Sequence, residues 1–201
     1  MAETERDALF QVLDALDVLQ IPYMVVGSFA SSYWGRPRMT HDAELVVEMI
    51  AEKSADLARR RAPNFYAPPF VFEDAARKRG QFNLIHLDHA FKIDLWLLKG
   101  SPYDEASFHR RLLGVMFERE VWVSSPEDVI LSKLLWYQAA PASDRQLQDA
   151  LAVYEIQEPY VEHEYLDHWA HTLGIADLLE RVKQQPARRP EDAGGSEPPA
   201  Q

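Results

Sequence analysis

The alternation of apolar and polar positions divides the chain into a strand-bearing front half and a helical back half. Leu9, Phe10, Leu13, Leu16 and Leu19 recur at spacings of three and four, which predicts an amphipathic helix over 5–19, ended by Ile21-Pro22. Tyr23-Met24-Val25-Val26 is a short, wholly apolar run that stops at Gly27-Ser28 and reads as a buried strand, followed by a short helix from Phe29 to Trp34. Gly35-Arg36-Pro37-Arg38 is punctuated as loop. Asp42 to Val47 alternates with period two and reads as a second strand, followed by a helix over 49–61, a loop from Asn64 to Pro69 and one or two helical turns between Glu73 and Arg79. Gln81–Leu87 and Phe91–Leu98, separated by Asp88-His89-Ala90, predict an antiparallel hairpin. Residues 103–113 read as helix and Val115–Val123 as one more strand.

From Ser125 onward the pattern is helical. Ser125-Pro126-Glu127-Asp128 places a capping hydroxyl, a proline at the first helical position and a carboxylate at the third. Helices are expected near 126–138, 143–156 and 163–182, the last broken at Gly174. The expected architecture is α+β: a mixed sheet flanked by helices over 1–123, then a small helical unit over 124–183. Residues 184–201 hold four Pro, two Gly and no large apolar side chain, so they are read as a disordered tail.

Composition narrows the function classes. The 201 residues suffice for a core without crosslinks, and the absence of cysteine excludes disulfides, thiolate metal sites and a cysteine nucleophile. A formal net charge of −11 disfavours broad, non-specific binding to a phosphate backbone. No apolar run approaches the ~20 residues of a membrane span, and the acidic N-terminus lacks the apolar region of a signal peptide. The expected setting is cytoplasmic, with no membrane partner.

Four features carry candidate chemistry. Gly27-Ser28 lies where a strand turns into a helix, so backbone amides and the Ser28 hydroxyl face any anion that approaches, although such a pair also serves as an ordinary turn. Asp42 and Glu44, at i and i+2 of a strand, share one face while Ala43, Leu45 and Val47 share the other. Two neighbouring carboxylates repel unless a cation lies between them, and Mg²⁺ bridged to a phosphate would suit them; the alternative is a solvated strand face. Asp94 interrupts the apolar run Phe91–Leu97 and so has an environment to explain, for which the ordinary account is a salt bridge to Lys or Arg. Lys133 falls within the apolar arc of Val129, Ile130 and Tyr137, so its ammonium needs an anionic partner, or snorkels, or pairs with Glu127 or Asp128.

In combination, Val26-Gly27-Ser28, a gap of 13 residues, Asp42-Ala43-Glu44-Leu45, and a later Lys92-Ile93-Asp94-Leu95 resemble the nucleotidyltransferase superfamily built on the polymerase-beta catalytic fold. Gly35-Arg36-Pro37-Arg38-Met39-Thr40 is similar to the Gly-x-x-Arg-x-Thr stretch that precedes the strand acids in that family. Ser125 to Leu134 is similar to a helix entry found in small stand-alone prokaryotic members, including those of abortive-infection and toxin–antitoxin systems. The resemblance spans most of residues 8–180. It departs from the pattern at Glu44, where Asp is commoner, and at the small Ala43.

The resemblance implies transfer of a nucleoside monophosphate from a nucleoside triphosphate to a hydroxyl of a tRNA, a protein or a small molecule, with release of pyrophosphate. Mg²⁺, or Mn²⁺ in its place, would be held by Asp42 and Glu44, with a second ion shared with Asp94. Gly27, Ser28, Arg38 and Lys133 would bind the nucleotide, and an antitoxin or regulatory protein would be a partner. Two other readings stand beside this one: a weak or inactive member of the same fold that senses nucleotide, and a helical interaction protein whose strand acids are merely solvated. Arg145 and Asp149, four apart and away from the apolar stripe of Leu147, Leu151 and Tyr154, read by default as an exposed ion pair, while similar positions in members of the resembled family sometimes approach the active site. His86/His89 and His168/His171 are i, i+3 pairs that could bind metal, the second read as a solvated helix face. Trp136, Tyr137, Tyr154, Tyr165 and Trp169 read as interhelical core.

Overall fold

A computed structural model describes residues 3–61, 63–141 and 144–185. Its elements, in chain order, are α1 (Glu3–Val18), β1 (Tyr23–Val26), α2 (Gly27–Trp34), β2 (Asp42–Val47), α3 (Ala51–Arg61), β3 (Phe65–Tyr66), α4 (Pro69–Lys78), β4 (Gln81–His86), β5 (Lys92–Leu97), α5 (Pro102–His109), β6 (Leu112–Met116), β7 (Arg119–Val123), α6 (Pro126–Ala139), α7 (Arg145–Gln157), α8 (His163–Thr172) and α9 (Ala176–Gln184). The strands form one mixed sheet in the order β3-β4-β5-β2-β1-β7-β6. β2 runs parallel to β5 and β1 parallel to β7, and the other four neighbouring pairs are antiparallel. The α+β class and the mixed sheet agree with the sequence reading. The expected tail falls outside the described residues after Gln185.

The period-two pattern of β2 explains why the sheet has one dry and one polar face. Ala43, Leu45 and Val47 are fully buried and share a core with Leu84, Ile93 and Leu95 and with Leu9, Leu13 and Leu16 of α1. Burying one such Leu or Val contributes about 1.5–3 kcal/mol relative to leaving it exposed. Phe72 of α4 meets Phe82 of β4 with ring centroids 4.1 Å apart. On the other face, α2 packs against β2 and against α6 and α7, so the helical back half covers part of the side that carries the strand acids.

Local signals set several boundaries. Ser125 Oγ accepts from the Asp128 amide at 3.2 Å, as expected for an N-cap, and its hydroxyl donates to Asp128 Oδ2 at 2.9 Å. Gly174 adopts φ +71 between α8 and α9. The structure departs from expectation in the middle of the chain. The predicted helix over 103–113 stops at His109, and the predicted single strand over 115–123 is a hairpin, β6–β7. Its turn, Phe117-Glu118, has positive φ at both residues without the Gly or Asn that normally marks such a turn. The expected loop at Asn64–Pro69 contains the two-residue β3, and the helical turns near 73–79 extend into α4. Trp136 is half exposed rather than core, and meets Trp96 edge-on at 6.1 Å.

Candidate active site

The site is built on strand register. β2 and β5 pair so that Glu44 lies beside Asp94 and Asp42 beside Lys92, while β1 places Val26 beside Glu44. Asp42, Glu44 and Asp94 therefore share one sheet face at the end of β1 where the chain enters α2. Asp94 is only 5% exposed, and it breaks the otherwise alternating burial of β5.

Each carboxylate is engaged by a donor of the protein. Thr40 Oγ1 donates to Asp42 Oδ1 at 2.9 Å. The Ser28 amide donates to Glu44 Oε2 at 3.2 Å. Lys92 Nζ lies 2.7 Å from Asp94 Oδ2. On the other side of Asp94, the Asn83 amide donates to Oδ1 at 2.9 Å when its nitrogen is the end turned toward the carboxylate. The salt bridge weighed in the sequence as the alternative for Asp94 is thus present, with Lys92 as its cation.

Gly27 makes room for Glu44. It adopts φ +62, and a Cβ placed there would lie 1.6 Å from Glu44 Oε2. The space left by the missing side chain is filled by the Glu44 carboxylate, which occupies the N-terminus of α2 as an anion would. Burial pushes the Glu44 carboxyl above the usual carboxylate range. The Lys133 charge and the Ser28 amide pull it down, and the negative charges of Asp42 and Asp94 add to the rise.

A second cluster adjoins the first. Asp149 of α7 accepts from Arg38 Nε at 2.9 Å and from Nη2 at 2.8 Å, with Lys133 Nζ 2.9 Å from Oδ2. Arg38 Nη2 also donates to Ser28 Oγ at 2.7 Å. Burial alone would raise the Asp149 carboxyl, but the Arg38 hydrogen bonds and the Lys133 charge hold it below its usual range. The Arg38 guanidinium is raised, first by its hydrogen bond to Asp149. The Lys92 ammonium is likewise raised, first by its bond to Asp94.

Asp149 is the residue that sequence reasoning misplaced. It is 8% exposed and faces Arg38 and Lys133, not the expected exposed pairing with Arg145. Lys133, 3% exposed, finds its anion there; Glu127 and Asp128 instead lie against Arg110. The signal was available, because a buried lysine requires a carboxylate and α7 also buries Ala150 and Val153 beside Asp149. His168 and His171 are exposed, and His86 stacks on His89 at 4.8 Å.

The donor set of Asp42 and Glu44, two hard carboxylates on one strand face beside a glycine turn, fits a divalent cation in chemistry and in backbone placement. The fit does not extend to three ligands, since among the described residues no group of three or more His, Asp or Glu could hold a metal ion. Among the described residues, no helix is long and apolar enough to cross a membrane.

No family model and no curated protein sequence matches the chain. Solved structures do. An antigenic nucleotidyltransferase-like protein from Paracoccidioides brasiliensis is similar with TM-score 0.54 at 15% identity, over 91% of this chain and 94% of that one. ANT(2'')-Ia in complex with adenylyl-2''-tobramycin is similar with TM-score 0.54 at 16% identity, over 89% of this chain and 98% of that one. Its solution structure gives TM-score 0.53 over 92% and 100% of the respective chains. At these identities the likeness concerns the fold, which is of the nucleotidyltransferase type.

Proposed function

We propose that the chain is a nucleotidyltransferase that moves a nucleoside monophosphate from a nucleoside triphosphate to a hydroxyl group of a small molecule. The observation that carries this reading is the register that sets Glu44 beside Asp94, with Asp42 two residues away on the same face and Gly27 opening α2 against Glu44. The nucleotidyltransferase-type fold supports it. A small-molecule acceptor is favoured by the adenylylated aminoglycoside bound to ANT(2'')-Ia and by the acidic charge of this chain, which disfavours a large RNA.

In this reading Asp42 and Glu44 would hold a divalent cation, Mg²⁺ or Mn²⁺. When bound, it supplies charge neutralisation and polarisation of phosphoryl oxygens. The chain's own residues do the rest. Ser28 and Arg38 present a hydroxyl and a guanidinium at the head of α2, and Lys133 adds positive charge beneath them; these groups would fix the triphosphate. Asp149 holds Arg38 and Lys133 in place. The acceptor oxygen would bond to the α-phosphorus as the bond to the β-phosphate oxygen breaks. Pyrophosphate would leave, and the hydroxyl proton would pass to the Asp94 carboxylate, directly or through water.

A nucleotide-sensing, inactive form of the same site is the second reading. It is favoured by the engagement of all three carboxylates with Thr40, Ser28 and Lys92. One experiment separates the two. The protein is incubated with each α-labelled nucleoside triphosphate, Mg²⁺ and fractionated cell extract. Transfer of label to a small molecule with pyrophosphate release, reduced by at least about a hundredfold in Asp42→Ala, supports the enzyme. Label on a protein would place the chain with the toxin–antitoxin-type members. Nucleotide binding without transfer in any lane supports the sensor, and the absence of both overturns the nucleotide reading.

A further inference from the structure

We infer that Lys92 takes the place of a second divalent cation at Asp94, so that this chain works with a single metal ion. The inference rests on the nucleotidyltransferase reading and departs from the two-ion arrangement that the sequence resemblance implies.

Three observations carry it. Lys92 lies next to Asp42 in register and two residues from Asp94 on the same strand face, so its side chain emerges among the three carboxylates. Its Nζ reaches Asp94 Oδ2 at 2.7 Å, a charge-assisted contact. Asn83 of the neighbouring β4 is the register partner of Asp94, and with its amide nitrogen turned toward the carboxylate it donates to the opposite oxygen, Oδ1, at 2.9 Å. Oδ2 is thus already held by the ammonium of Lys92, the register partner of Asp42. Among the described residues, the hydrogen-bond donors to Asp42 and Glu44 are a neutral hydroxyl and a backbone amide.

Lys92 also brings a positive charge into the group: Asp42, Glu44 and Asp94 carry three negative charges when ionised, and the ammonium reduces this to two. A second metal ion at Asp94 would have to displace that ammonium from a carboxylate that is 5% exposed, and its arrival would leave the ammonium next to the new cation. An ammonium cannot coordinate an oxygen as a metal does, but it supplies a positive charge and a hydrogen-bond donor, the electrostatic part of the second ion's role.

The test counts ions without relying on turnover. The full chain is saturated with the α,β-methylene analogue of each common nucleoside triphosphate, and bound Mn²⁺ is counted by loss of the free-ion electron paramagnetic resonance signal. The expected count is one Mn²⁺ per nucleotide-bound chain for the wild type, two for Lys92→Met and one for Lys92→Arg. Asp94→Asn is expected to stay at one, and Asp42→Ala to lose nucleotide-dependent Mn²⁺ binding. Two ions in the wild type, or one in a Lys92→Met protein of native circular dichroism, overturn the role of Lys92 while leaving the nucleotidyltransferase reading standing. If Lys92→Met does not fold, the wild-type, Lys92→Arg and Asp94→Asn counts decide. Failure of the wild type to retain any analogue in the presence of Mn²⁺ overturns that parent reading, and the inference with it.

Discussion

Removing the Asp149 carboxylate tests the cluster that holds the back half of the molecule against the candidate active site. Asp149 is 8% exposed, and Lys133, 2.9 Å away, is 3% exposed. At that separation the Coulomb attraction is about 6 kcal/mol for an effective dielectric of 20, before desolvation is subtracted. Truncation to Ala would leave Lys133 buried beside Arg38 with the shared anion gone. Breaking one partner out of a buried pair costs about 3–5 kcal/mol, because the remaining charge stays desolvated. Against a typical domain stability of 5–15 kcal/mol, that loss is large. Lys133→Met should cost less, since Asp149 keeps both hydrogen bonds from Arg38. The Asp149→Ala/Lys133→Met pair should recover much of the loss, because the orphaned ammonium is then absent. Urea unfolding of the four proteins gives the coupling energy, expected at about 2 kcal/mol or more. Additive single effects, or an Asp149→Ala protein within 1 kcal/mol of wild type, would show that the triad does not hold these helices together.

Further outcomes follow from other residues. Gly27→Ala combines a positive-φ position, costing an L-residue about 1–2 kcal/mol, with a collision at Glu44; it should fold with a lowered melting temperature and lose nucleotide retention in equilibrium dialysis, and intact retention would contradict the placement of Glu44. Asp149→Asn keeps the shape but not the charge, and should raise the KM for the triphosphate more than it lowers kcat, read from initial rates, since Arg38 and Lys133 would be less well held. Burial pushes the Asp128 carboxyl from 3.8 up to about 6, although Ser125 and Tyr165 donate to it. The folded state therefore binds more protons than the unfolded one in that window, so the Asp128 contribution makes stability fall as pH rises from about 4 to 6, by roughly 3 kcal/mol for a shift of this size. Asp128→Asn should show a flatter decline over that range in urea midpoints measured at successive pH values; an unchanged slope would mean that Asp128 is not the group responsible.

The residues that could be read from the sequence were those whose role follows from a local pattern. β2 is predicted residue for residue because Ala43, Leu45 and Val47 alternate with acids, and a period of two allows no other assignment of faces. Ser125 announces α6 because a hydroxyl followed by proline and a carboxylate satisfies the amides of a first turn. The β6–β7 hairpin was hidden for the converse reason. Leu112-Leu113 continues the apolar spacing of α5, and the turn at Phe117-Glu118 uses αL backbone without a residue type that favours it, so nothing local separates helix, strand and turn. The site shows the same division at longer range. Which strand face bears Asp42 and Glu44 is a local fact. That Asp94 stands beside Glu44 depends on β5 entering the sheet parallel to β2, and hydrophobic pattern does not encode that adjacency; only the family resemblance suggested it. Lys133 and Asp149 mark the intermediate case. Each is an ionisable residue on a helix side that its neighbours bury, and opposite buried charges on two helices of one bundle require each other. A stripe through Leu147, Leu151 and Tyr154 alone leaves Asp149 on the outer side of α7. Including Ala150 and Val153 widens the buried arc of α7 to take in Asp149 and places the anion where Lys133 needs it.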